Sequence, residues 1–218
     1  MARRFDRIAA SKPLVFLLCL LPLGLLMLDS WRGTLGPDPV AELEHASGIW
    51  ALRMLLATLA ITPLRALGGW NGIVRYRRML GLFAFFYASV HLAIYLVVDL
   101  GGFWSQIFAE IAKKPFITAG FLAWLLMIPL AATSTKGMIR RLGRRWQTLH
   151  RLVYAAALGA VLHFLWLVKY GETIAVLEPV VYAAIFALLM FARVPEWLAR
   201  RRRRMSARDR ASEADGPA

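Results

Sequence analysis

Trp146-Gln-Thr-Leu-His150-Arg-Leu-Val-Tyr154 runs on through an apolar interior to His163-Phe-Leu-Trp166, and reads as a single helix with a histidine near each end. At about 1.5 Å of rise per residue the 13 residues from His150 to His163 span roughly 20 Å. That is most of the way across a hydrocarbon core of about 30 Å. Ionisable side chains inside a spanning helix mark functional sites, so a ligand near each membrane face is the first expectation. At 3.6 residues per turn the two rings stand roughly 140° apart around an ideal helix. A bend near Gly159, or ligands on different sides of the helix, has to absorb that angle.

Outward from this helix the rest of the chain is of the same kind. Of 218 residues 59% are hydrophobic and only 18% charged, with a mean hydropathy of +0.56. A soluble domain of this length has one core and few uninterrupted apolar runs. Here six stretches approach the roughly 20 residues a spanning helix needs: 13–29, 49–67, 79–99, 116–132, 149–168 and 174–192. The expected fold is therefore an all-α membrane protein, a six-transmembrane-helix bundle. The net charge of +14 does not point to nucleic acid, because its Lys and Arg flank the apolar runs and lie on no soluble amphipathic face.

Those charges set the topology, since cytoplasmic connections retain Lys and Arg. Arg3, Arg4, Arg7 and Lys12 precede the first span, Arg75, Arg77 and Arg78 the third, and Lys136, Arg140, Arg141, Arg144 and Arg145 the fifth. The intervening loops hold only Arg32, then Lys113 and Lys114, then Lys169, and the first carries Asp38, Glu42 and Glu44. Both termini are expected in the cytoplasm. A basic N-terminus covers 1–12, the membrane domain 13–192, and a basic tail 193–218 with the run Arg200 to Arg204. That tail suits anionic lipid headgroups and has a composition that favours disorder. The first span reads as an uncleaved anchor, because no small-residue cleavage site follows it.

Cys19 is the only cysteine and lies within that first span, which excludes intramolecular disulfides and covalent C-x-x-C-H haem attachment. His91 lies well inside the third span, which runs outward like the fifth, so His91 and His163 fall at matched depth in the outer half. Two imidazoles at one level, in a chain with four histidines, point to bis-imidazole ligation of a b-type haem. His45, in an acidic outer loop, is expected to be solvated. At the inner level, 13 or 14 residues before His91, stand Arg78 and Arg77, and a guanidinium has no lone pair to give. His150 there is left to a five-coordinate haem, an unusual ligand, or a flavin whose phosphate the arginines would pair with. Arg53, about one turn inside the outer end of the second span, either snorkels to headgroups or pairs with a haem propionate.

These residues also resemble a known family. Trp146 to Tyr154 with His163 to Trp166, the loop Thr133-Ser-Thr-Lys-Gly-Met-Ile-Arg-Arg-Leu142, Arg77-Arg-Met-Leu-Gly-Leu82 and Ile61-Thr-Pro-Leu-Arg65 are similar to the MsrQ (YedZ) family. These are haem-binding membrane subunits of the bacterial periplasmic protein-methionine-sulfoxide reductase system, within the ferric-reductase-like transmembrane superfamily. The resemblance covers nearly the whole chain. It implies two stacked haems held by paired histidines on the third and fifth helices. His91 and His163 match the outer pair and His150 half of the inner pair, with Arg77 at the level of the missing histidine.

The resemblance further implies an inner-membrane electron carrier and no catalytic residues of its own. Electrons come from the quinol pool or a cytosolic flavin reductase and pass to a periplasmic molybdenum-cofactor subunit that reduces protein methionine sulfoxide. The cofactor is haem b, one or two per chain, and FMN is associated with the family. The sequence independently supports the expectation of a separate donor, because only about 26 residues follow the sixth span, with no glycine-rich βα unit for a dinucleotide. A stand-alone ferric or quinone reductase is the nearest alternative. A transporter, using buried His and Arg for a solute path, is the alternative of another class; neither discontinuous helices nor an internal repeat is evident in the sequence.

Overall fold

The computed structural model describes residues 7–103, 110–169, 176–194 and 206. Among them the only regular structure is helical. The long elements are α1 (Arg7–Arg32), α2 (Pro39–Gly68), α3 (Arg77–Ala93), α4 (Pro115–Ala132), α7 (Leu152–Lys169) and α8 (Leu177–Phe191). Two short helices, α5 (Lys136–Leu142) and α6 (Arg144–Leu149), join α4 to α7. A 3₁₀ segment, Asn71–Tyr76, leads into α3, and a wider π turn, Ile94–Asp99, leads out. Five of these helical stretches are long and apolar enough to cross a membrane, and α8 is a shorter apolar helix of 15 residues. The expected tail run Arg200 to Arg204 and the extreme N-terminus lie outside the described residues.

Local chemistry sets the helix ends. Asp38 caps α2, its carboxylate accepting the Ala41 amide at 3.0 Å, and Pro39 occupies the first turn, where its missing N–H costs nothing. Gly69 closes the same helix at φ 65°, a left-handed conformation that favours glycine, with its amide on the Arg65 carbonyl. α2 therefore begins ten residues before the expected span at 49. His45 lies on that added helix and not in a loop. Its ring is exposed, as expected, and stands 3.2 Å from Glu178 and tilted against Phe164; it is the loop placement that is corrected.

The core forms where α2 packs on α3 and α4 packs on α7. Leu52, Leu55, Leu56 and Leu59 of α2 meet Phe83, Ala84 and Tyr87 of α3 and Ala156, Ala157, Val161 and Phe164 of α7, with Met127 of α4. Pro63 deprives the Leu59 carbonyl of its helical donor, and buried Arg193 donates to that carbonyl instead, while its other amino group donates to Leu189 at 3.0 Å. This ties the end of α8 to α2. α1 packs least: Leu17, Leu18, Leu21 and Leu25 are exposed, as lipid-facing positions are. Its anchor is Tyr87, whose hydroxyl donates to the Cys19 carbonyl at 2.7 Å and accepts the Leu23 amide at 3.2 Å. The hydroxyl is inserted into one rung of α1 beside Pro22.

Candidate haem site

α3 and α7 bring His91 and His163 face to face, their ring centres 6.1 Å apart and their planes crossed at 70°. Neither ring is held by its own helix. His91 Nδ1 lies 2.9 Å from the carbonyl of Glu44 on α2, with the fully buried Ser47 hydroxyl also donating to that oxygen at 3.0 Å. His163 Nδ1 lies 2.7 Å from the carbonyl of Phe116 on α4. A carbonyl can only accept, so Nδ1 carries the proton in both rings and Nε2 presents a bare lone pair. A hydrogen bond of this kind is what fixes the tautomer and orientation of a metal-ligating histidine.

The spacing fits one iron. With a metal about 2.0 Å from each Nε2 and the ring centre about 1 Å behind it, two trans imidazoles stand roughly 6 Å apart. Among the described residues no three His, Cys, Asp or Glu side chains converge as a metal cluster. Two imidazoles alone supply an axial pair, which is the ligand set of a haem iron.

His150 sits differently. Helix α6 ends at Leu149 and α7 begins at Leu152; in between, the Arg151 amide reaches Thr148, Val153 reaches His150 and Tyr154 reaches Arg151. These are three-residue steps, each turning about 20° further than an α-helical residue. Together they turn the helix about 60° beyond its α-helical course, part of the roughly 140° that separates His150 and His163 on an ideal helix. Gly159 lets α7 approach α4 closely, a Cβ there meeting Ala123 at 3.2 Å. His150 Nδ1 lies 3.1 Å from its own helix's Trp146 carbonyl, and the ring stacks on the Trp146 indole at 3.8 Å. That indole donates to the Thr133 carbonyl at 3.0 Å, which pins the short helix to the end of α4. His150 Nε2 is buried and has no hydrogen-bond partner. A buried bare imidazole nitrogen fits a metal or haem ligand, and the nearby charge acting on it is Arg77. Arg78, by contrast, is exposed.

Arg53 lies 4.8 Å over the Trp50 ring, donates through Nε to the Tyr182 hydroxyl at 2.7 Å and comes within 4.0 Å of Glu178. Its protein partners are thus Trp50 on its own helix and Tyr182 and Glu178 on α8. The site also contains residues that the sequence reading passed over. Gly48 and Gly120 seat the two paired imidazoles: a Cβ on Gly48 would lie 3.2 Å from His91, and one on Gly120 only 2.8 Å from His163 Nδ1. A repeat marks them. Gly48-x₂-Ala51 with Ala84-x₃-Ala88-x₂-His91 recurs 72 residues later as Gly120-x₂-Ala123 with Ala156-x₃-Ala160-x₂-His163. The repeat rests on so few positions that only the contacts make it visible.

A family model described as ferric reductase like transmembrane component matches residues 47–161, which takes in α2 to most of α7 with His91 and His150. Across nearly the full length, the chain is 55% identical to a protein of Xanthomonas euvesicatoria pv. vesicatoria over 208 residues, 93% of this chain and 94% of the relative. That protein is a protein-methionine-sulfoxide reductase heme-binding subunit MsrQ. This chain belongs to the MsrQ family. A Xanthomonas campestris pv. campestris MsrQ is 54% identical over the same shares of the two chains. The MsrQ of Azospira oryzae is 47% identical over 193 residues, 87% of this chain and 81% of its own. No solved structure matches the chain. With its apolar helices and this family, the MsrQ-family chain is a multi-pass membrane protein.

Proposed function

We propose that this chain is the haem-binding, electron-carrying membrane subunit of a protein-methionine-sulfoxide reductase system. The observation that carries the proposal is the pair His91 and His163, each with Nδ1–H given to a carbonyl and its Nε2 free, at the spacing of one iron. That the Xanthomonas relative is a heme-binding subunit supports the same cofactor. Haem supplies one-electron chemistry there; the chain's own residues hold and orient it. Its imidazoles set the potential, the hydrogen bonds to Glu44 and Phe116 raise their donor strength, and the apolar bundle keeps water away.

In this reading the haem domain is 13–192, flanked by cytoplasmic segments 1–12 and 193–218, in a bacterial inner membrane with its paired histidines toward the periplasm. Electrons enter from the quinol pool or a cytosolic flavin reductase and leave to a periplasmic molybdenum-cofactor catalytic subunit, where methionine sulfoxide is reduced. Substrate chemistry takes place on that partner. His150 and Arg77 form the second, inner position, for a further haem or for FMN, with Arg78 beside it as a phosphate partner. Arg53 serves the outer haem's propionate. The ferric-reductase-like family match keeps a stand-alone ferric reductase as the second reading.

A dithionite-reduced minus oxidised visible spectrum of the detergent-purified chain, with haem quantified per polypeptide, tests the proposal. A low-spin b-type signal at one or two haems per chain is expected. A folded preparation from haem-sufficient cells that carries none would overturn it. Reduction of ferric iron by the haem-loaded chain without the molybdenum partner would favour the second reading.

A further inference from the structure

The paired histidines are seated by one device used twice. In each case a carbonyl on the neighbouring helix lies 47 residues before the histidine, and a glycine follows that carbonyl one helical turn later. Glu44 and Gly48 of α2 serve His91; Phe116 and Gly120 of α4 serve His163. The alanines on the histidine helices repeat as well, and Ala84 and Ala156 are both fully buried. Resting on the haem reading above, we propose that Gly48 and Gly120 are positioning residues for the two axial imidazoles. They let each ring lie flat on bare backbone, hold it in its carbonyl hydrogen bond, and so impose the crossed orientation of the pair.

A histidine ring has a broad second side-chain torsion, so its plane is set by what touches it. Here the Nδ1 hydrogen bond fixes one edge and the glycine backbone fixes one face. A methyl on Gly120 would stand 2.8 Å from Nδ1, 3.0 Å from Cγ and 3.1 Å from Cε1 of His163, which forces the ring to turn or withdraw. On Gly48 the nearest atoms of His91 are 3.2 Å away, so that ring need give only a few tenths of an ångström. Two electronic properties follow the ring positions. Crossed imidazole planes leave the two iron dπ orbitals nearly degenerate and give ferric low-spin iron a strongly anisotropic EPR signal with one large g value. Parallel planes give the ordinary rhombic three-line signal. The hydrogen bond at Nδ1 makes the imidazole a stronger donor, favours the ferric state and lowers the reduction potential.

The test uses the full-length purified chain and three single variants, read by ferric EPR, potentiometric titration and haem retention. Gly159→Ala is the comparator, because its methyl would press on Ala123 and the Ala119 carbonyl between the same two helices but touch no imidazole. The wild type is expected to show the large-g signal. Gly120→Ala should move that signal toward the rhombic form, raise the midpoint potential and weaken haem retention by about 10- to 100-fold. Gly48→Ala should do the same to a smaller extent. Gly159→Ala should keep the wild-type signal and potential even if it unfolds at lower temperature. Wild-type signal and potential in both Gly120→Ala and Gly48→Ala, or equal shifts in Gly159→Ala, would overturn the proposal. Should Gly120→Ala fail to fold, Gly48→Ala alone decides. A wild-type chain with haem and a rhombic signal refutes the crossed orientation, whereas a folded wild type without haem refutes the haem reading itself.

Discussion

At the paired level each imidazole is held by a helix other than its own: α2 offers a carbonyl and a glycine to His91, and α4 offers the same to His163. At the other level His150 is held by its own helix, through the Trp146 carbonyl and indole, and the charge that acts on it is the Arg77 guanidinium. The first arrangement depends on the packing of four helices. The second depends on one tightened turn between α6 and α7. What the contrast teaches is that a matched pair of ligands needs a matched pair of supports. Where the support is local, only one imidazole is provided.

Substitution at the histidines is the strongest way to break the comparison. His91→Ala or His163→Ala is expected to abolish the low-spin haem signal, while His150→Ala leaves at least part of it. Full retention of the signal in both paired-level variants would remove the distinction. Trp146→Leu sharpens it: with the stack and the tie to Thr133 gone, His150 should lose its orientation while the paired level keeps its EPR signal. A change at the paired level in that variant would mean that the two levels are not independently supported.

The next largest effect is on the frame that both levels share. Arg193→Met leaves the Leu59 carbonyl without its donor beside Pro63. Loss of a charged hydrogen bond there should lower stability by about 1.5–3 kcal/mol, seen as a lower unfolding temperature in detergent. A variant as stable as the wild type would show that α8 is held by its apolar face alone. The smallest effect is expected from Tyr87→Phe. α1 can then close its own rung between Cys19 and Leu23, so the cost should not exceed about 1 kcal/mol and the haem spectrum should not change.

Much of this frame is legible without coordinates. The long helices follow from apolar runs of spanning length, and the depth match of His91 and His163 follows from two spans that run in the same direction. Asp38 by its cap and Pro39 and Pro115 by their place in the first turn are sequence marks of helix starts, although the apolar run alone put the second span's start at 49. The supports are harder to read. Gly48 and Gly120 look like weak points in helices, because nothing local says that a ring from another helix rests there. The tightened turn at His150 leaves no compositional mark, since a step of three residues in place of four changes hydrogen bonding and not residue type. Arg53 and Tyr182 meet across 129 residues, and no pattern near either one names the other.

The Tyr87 hydroxyl wedged into α1 has a consequence for hydrogen exchange. An amide bonded within its own helix exchanges when that helix frays, whereas the Leu23 amide gives its hydrogen to a side chain of α3. Its protection therefore reports whether α1 is docked on the bundle, and not whether α1 is helical. In a chain whose first helix is otherwise exposed along its outer face, that one amide is a built-in gauge of the association between α1 and the core.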